Sequence, residues 1–129
     1  KEAGSKLDDM ILNSFELSGF KVVASELSVN NVDNLKDIAD KLREKLGNGI
    51  GLLYSVIEGK VSIVAIVTDN LIKEKGLSAG KIAGDFARIL GGGGGGKPHL
   101  AAAGGKDVSK LNEAILKLPE IIKKYLDDR

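Results

Sequence analysis

The chain has 129 residues, 43% hydrophobic and 29% charged, with a formal net charge of +1, values that suit one globular domain and exclude a disordered chain. It contains no cysteine, which removes disulfides, thiolate zinc sites and cysteine nucleophiles together; it shows neither an apolar run near 18 residues nor a signal-peptide pattern, so no membrane partner and a cytoplasmic setting are expected. Charge is unevenly spread: residues 1–72 hold eight Lys/Arg against eleven Asp/Glu, residues 73–110 seven against three, and residues 111–129 four of each.

Leu7, Met10, Ile11 and Ser14 form one stripe at spacings of three and four, with Asp8 and Asp9 opposite, which predicts a helix. No cap residue precedes the stripe. Residues 1–18 are therefore expected to be a helical segment, the end of a longer helix, followed by a globular domain at 19–129; apolar surface left by such a cut would seek a partner, so a homodimer is one expectation and packing on the chain's own sheet is the alternative. Residues 20–27 (FKVVASEL) predict a β-branched strand. Asn31 caps a helix with Leu35, Ile38, Ala39, Leu42 and Leu46 on its apolar face, and Gly47 ends it. Two nearly continuous apolar runs, 50–57 and 61–68, flank Glu58-Gly59-Lys60 and predict a hairpin buried on both faces.

Asp69 opens a short helix that stops near Gly76, and Ser78 caps another whose buried side is Ile82, Ala83, Phe86, Ile89 and Leu90. Six glycines follow directly: Gly91, Gly92, Gly93, Gly94, Gly95 and Gly96. Residues 99–103 predict a short strand of small side chains. Asp107 then caps a final helix with Leu111, Ala114, Ile115 and Leu118 inward, which Pro119 should kink or restart. The fold class is α/β or α+β, a small mixed sheet of three to five strands covered by helices and preceded by the short helical segment.

The glycine run is expected to be a loop. In regular structure six glycines forgo roughly 3–6 kcal/mol relative to alanine, so something other than folding favours them, such as close backbone approach to a ligand or N–H groups facing an anion; a flexible linker is the alternative. Seven cations (Lys73, Lys75, Lys81, Arg88, Lys97, Lys106 and Lys110) surround the run, which reads either as a phosphate-facing surface or as a solvated face. Context argues against a Walker or dinucleotide loop: those loops enter a helix N-terminus, whereas this run leaves the negative end of a helix and Lys97 is followed by Pro98. Gly104-Gly105-Lys106 ahead of Asp107 forms the better anion-site candidate, with a plain helix cap as its alternative. His99 is the single histidine, too few for a histidine metal site, and no catalytic arrangement of Ser, His and Asp is visible. Phe86 and Tyr125 fit helical core stripes better than base-stacking platforms.

The stretch from Phe86 to Leu90, the six glycines, then Lys97-Pro98-His99-Leu100-Ala101-Ala102-Ala103-Gly104-Gly105 closely resembles the signature near the end of bacterial-type alanyl-tRNA synthetases. The order of helix, strand, helix, hairpin and two helices resembles the C-terminal domain of that family, a DHH-associated nucleic-acid-binding domain type that also accompanies DHH-family phosphoesterases. In those phosphoesterases a histidine commonly follows a shorter glycine run directly, whereas Lys97-Pro98 intervenes here. The resemblance implies a tRNA-binding domain without its own catalytic centre, contacting the outer corner of tRNA and helping the aminoacylation and editing centres of a ligase share one tRNA. It also implies tRNA and the other parent domains as partners, with ATP and zinc confined to absent parts and no cofactor in this segment. On the charge and loop reading together with this motif, the residues expected to meet RNA are Arg88, Gly91 to Gly96, Lys97, His99, Gly104, Gly105, Lys106 and Lys110. The other readings are the nucleic-acid-binding module of a phosphoesterase and a structural dimerisation module.

Overall fold

Consecutive Val, Ile and Leu residues persist in a strand when both faces of the sheet are covered, and the two central runs meet that condition. The computed structural model describes residues 2–127. Its strands are β1 (Phe15–Leu17), β2 (Phe20–Glu26), β3 (Gly49–Ile57), β4 (Lys60–Val67), β5 (Gly93–Gly96) and β6 (Leu100–Gly105). Its helices are α1 (Glu2–Leu12), α2 (Val32–Leu46), α3 (Asp69–Lys75), α4 (Ala79–Ile89) and α5 (Leu111–Asp127). One sheet in the order β1-β2-β3-β4-β6-β5 unites the strands. Among the described residues only β2 and β3 run parallel, joined by the α2 crossover.

The sheet separates two apolar layers. Leu53, Val64 and Ile66 pack with Val23, Leu35, Ala39 and Leu42 on the side of α2, while the alternating Leu52, Ile63 and Ala65 pack with Ile82, Phe86, Ala114 and Leu118 on the side of α4 and α5. Each fully buried aliphatic or aromatic side chain contributes about 1.5–3 kcal/mol relative to exposure. No helix among the described residues is long and apolar enough to cross a membrane.

Several expectations hold in detail. Asn31 accepts a hydrogen bond from the Asn34 N–H at 2.9 Å, and Gly47 closes α2 at φ 73°. Glu58 and Gly59, both at positive φ, make the two-residue turn between β3 and β4.

Four expectations are corrected. The sheet has six strands, the additional ones being β1 and β5. Residues 15–17 of the expected helical segment form a strand, because Ser18 and Gly19 turn at positive φ and pair Leu17 with Phe20. The stripe at Leu7 and Met10 is not unpartnered: both side chains are buried with Val23, Leu35 and Leu42 of the same chain, which removes that argument for self-association. Asp107 precedes a 3-10 turn, Val108–Lys110, rather than α5 itself, which spans Pro119 as one helix.

Candidate nucleic-acid interface

The glycine run begins by ending α4. Leu90 and Gly91 donate their N–H groups to the carbonyls of Ala87 and Arg88, Gly91 turns the chain at φ 75°, and the Gly92 N–H returns to the Ala87 carbonyl at 2.9 Å. The next four glycines are not the expected loop. They form β5, an antiparallel edge strand with Gly93 opposite Gly104 and Gly96 opposite Ala101. The Lys97 N–H donates to the Leu100 carbonyl at 3.1 Å across the turn, and the Pro98 carbonyl accepts the Ala79 N–H at 2.8 Å, tying the turn to the start of α4.

Two kinds of glycine alternate along this edge. A Cβ on Gly94, which sits at φ 153°, would lie 2.6 Å from the Ala103 Cα, one on Gly96 would lie 2.9 Å from the Ala101 Cα, and one on Gly92 would overlap the Gly104 carbonyl. These three are glycine because the fold leaves no room. At Gly93 and Gly95 a Cβ would meet nothing within 4 Å, so packing does not require glycine there. Ladder alternation from the Lys97–Leu100 bond turns the Gly93 and Gly95 backbone groups to β6 and those of Gly94 and Gly96 to the outer edge. There α4 approaches through glycines of its own: a Cβ on Gly80 would be 2.8 Å from the Gly96 carbonyl oxygen, and one on Gly84 would be 3.2 Å from that of Gly94.

Grooves flank β5 on both sides. One of about 430 Å³ lies toward α4 and α5, lined by Ser78, Lys81, Arg88, Tyr125 and the backbone of Gly94 to Gly96. The other, about 400 Å³, lies toward α2, lined by Lys36, Asp40, Lys97, His99 and, from β5, Gly95 and Gly96. Lys97 is exposed and His99 half-buried, its carbonyl accepting the Val67 N–H at 3.2 Å. The structure thus gathers Arg88, Lys97, His99 and the glycines around one strand.

The remaining sequence candidates do not line these two grooves. Gly104 and Gly105 belong to β6, where Gly104 pairs with Ser62 on one side and Gly93 on the other. A Cβ on Gly105 would overlap that of Leu90, so close packing accounts for glycine at that position. Lys106 lines a separate depression with Lys60, Gly91 and Gly92, and Lys110 is exposed on the 3-10 turn. The Asp107 carboxylate accepts the Ser109 N–H at 3.2 Å, the plain-cap alternative. Among the described residues no group of three or more His, Cys, Asp or Glu is placed to hold a metal.

Sequence reasoning missed Asp85. Its side chain is 8% exposed and forms ion pairs with Arg88 and, at 2.9 Å, with the Lys124 Nζ; it also accepts a hydrogen bond from the Tyr125 hydroxyl. The Lys124 and Lys81 ammonium groups lie 4.9 Å and 5.7 Å from the centre of the Tyr125 ring, within cation–π range. The available signal was an acid between Gly84 and Phe86, on a helix whose neighbouring positions are apolar. Gly80 and Gly84, four apart on α4, were a second signal, since that spacing places both on one helix face.

Comparison with known proteins adds to this geometry. The DHHA1 domain family matches residues 19–124. The alanine–tRNA ligase of Natranaerobius thermophilus is 43% identical over 121 residues, covering 94% of this chain and 14% of the relative. That of Desulfitobacterium hafniense is 40% identical over 126 residues, covering 98% of this chain and 14% of the relative. This chain therefore spans about a seventh of the length of the curated relatives it matches. Among solved structures, the C-Ala domain from Aquifex aeolicus alanyl-tRNA synthetase superposes with a TM-score of 0.76 at 25% identity, covering 85% of this chain and 97% of that one.

Proposed function

We propose a function on one premise: the chain belongs to the DHHA1 domain family, and its curated relatives are alanine–tRNA ligases. The chain is a non-catalytic tRNA-binding domain of such a ligase, working in the cytoplasm beside the other domains of its parent. It contacts the outer corner of the tRNA, so that aminoacylation and editing act on one bound molecule. ATP and zinc chemistry belong to other parts of the parent.

The observation that carries this reading is the split within β5. Gly93 and Gly95 leave an open face that the fold does not require, and Arg88, Lys97 and His99 line the grooves beside that strand. A side-chain-free strand lets a bulky, curved polyanion approach the backbone closely, and the flanking cations take its phosphates. Recognition is therefore of shape and phosphate path, with little readout of base identity.

The test is binding of this chain to an alanine-tRNA transcript, an unrelated tRNA and a short single-stranded RNA. Both tRNAs should bind with similar affinity and be protected at the corner formed by the D and T loops. For about three to five neutralised phosphates, the plot of log K against log salt should have a slope of roughly −2 to −4.5. Lys97→Ala should make that slope shallower by about 0.7–0.9. Preference for the short single strand would favour the phosphoesterase-module reading, and protection confined to the alanine acceptor stem would overturn the corner contact.

A further inference from the structure

A long cationic side chain on a surface samples many rotamers, and freezing it against a ligand opposes binding unless something has already fixed it. Two cations of this chain are held in that way. Asp85 sits almost wholly buried on α4 at 8% exposure, while its partners Arg88 and Lys124 remain 68% and 57% exposed. The carboxylate pairs with one nitrogen of each cation while more than half of each cationic side chain stays accessible, so N–H groups beyond those the carboxylate occupies remain to meet a ligand.

The partners come from different helices, Arg88 from α4 and Lys124 from α5, with the Tyr125 hydroxyl bonded to the same carboxylate. Asp85 and Arg88 line both the groove that reaches Gly94 to Gly96 and an adjoining one bordered by Lys117 and Lys124. Arg88 and Lys124 therefore stand between the glycine strand and α5, in a groove that Glu120 also lines and whose Lys117 pairs with Glu113. Lys81 and Lys124 both lie near the Tyr125 ring.

We propose that Asp85 is a positioning residue for RNA binding: this buried acid fixes Arg88 and Lys124 as a two-point clamp for the phosphodiester backbone, carrying the RNA path from β5 across α4 to α5. The proposal rests on the tRNA-binding reading and adds Asp85, Lys124 and the direction of the path. Its sign is opposite to that of simple electrostatics. Removing an acid from a polyanion-binding surface raises net positive charge and should tighten binding; removing a positioning acid should weaken it.

The experiment compares the unmodified chain, Asp85→Asn, Lys124→Ala and the double variant in equilibrium binding to an alanine-tRNA transcript over a salt series, with thermal unfolding checked for each. Asp85→Asn should bind severalfold more weakly despite its added positive charge. Its log–log salt slope should become shallower by up to about 1.6, two contacts at about 0.8 each. Lys124→Ala should weaken binding in the native background and have little further effect in the Asp85→Asn background. Tighter binding by a folded Asp85→Asn, or additive losses in the double variant, would overturn the proposal. If Asp85→Asn does not fold, Tyr125→Phe decides: it keeps every charge and removes one bond to Asp85, so weaker binding supports the clamp and unchanged affinity and slope overturn it. Failure of the unmodified chain to bind any RNA would defeat the tRNA-binding reading and this proposal together, whereas normal binding with a tighter Asp85→Asn defeats the clamp alone.

Discussion

The central hairpin β3–β4 and the edge strand β5 lie in one sheet and are specified in opposite ways. In β3 and β4, Leu52, Leu53, Ile63, Val64 and Ile66 are fully buried, and side-chain burial on both faces makes the strands. In β5 there are no side chains. Its conformation is imposed by neighbours: the turn at Pro98 tied to Ala79, the ladder with β6, and α4 pressing its own glycines against the strand. A strand can thus be built from backbone alone when a helix and a partner strand hold it, and its empty surface is then available to a ligand.

The largest expected difference between these regions is in stability. Leu52→Ala, in the fully buried centre, should destabilise the fold by about 2–5 kcal/mol, while RNA affinity of the protein that remains folded is unchanged. Denaturant unfolding paired with binding at low temperature checks both halves.

Next comes the contact that holds β5. Gly80→Leu pushes a side chain into the Gly96 backbone and should cost about 1–3 kcal/mol through overpacking, with loss of RNA binding as the strand is displaced. If affinity survives while stability falls, the position of β5 does not matter for RNA.

Gly93→Val sharpens the comparison. The site is open, so stability should stay within about 0.5 kcal/mol, yet a branched side chain should block close approach and weaken tRNA binding clearly. Matched losses of affinity and stability would make β5 a purely structural element.

The smallest effect is a pH dependence confined to the centre. Burial, and secondarily the Glu26 carboxylate, raise the pKa of the Tyr54 phenol above its ordinary value of 10.0. Above pH 10 the unfolded chain releases this proton while the folded one retains it. The stability contribution is therefore full below the unfolded pKa and is lost as pH rises through the folded one. Tyr54→Phe should flatten the alkaline loss of stability in urea unfolding series.

The same contrast explains what the sequence could reveal. The hairpin, α2 and α4 were legible because apolar periodicity, Asn31, Gly47 and Gly59 report local preferences that the tertiary structure obeys. β5 was not, since glycine has neither strand propensity nor a facing pattern and reads as a loop. β1 was hidden by its three-residue length, although Ser18-Gly19 between Leu17 and Phe20 was a turn signal. At the candidate site the sequence brought forward the glycines, Lys97 and His99. It could not separate Gly93 and Gly95 from Gly94 and Gly96, because only packing distinguishes them. Asp85 escaped for a related reason: a single helical acid usually faces water, and only the arrival of α5 with Lys124 and Tyr125 makes it a buried hub.

The approach of Gly80 and Gly84 to Gly96 and Gly94 also bears on solubility. An edge strand offers unpaired amides and carbonyls that can template another chain, and proteins usually guard such edges with lysines, prolines or bulges. β5 has none of these within its four residues. Here α4 occupies the place where an incoming strand would lay its backbone beside Gly94 and Gly96, so the guard is a helix and the sheet cannot propagate from molecule to molecule at this border.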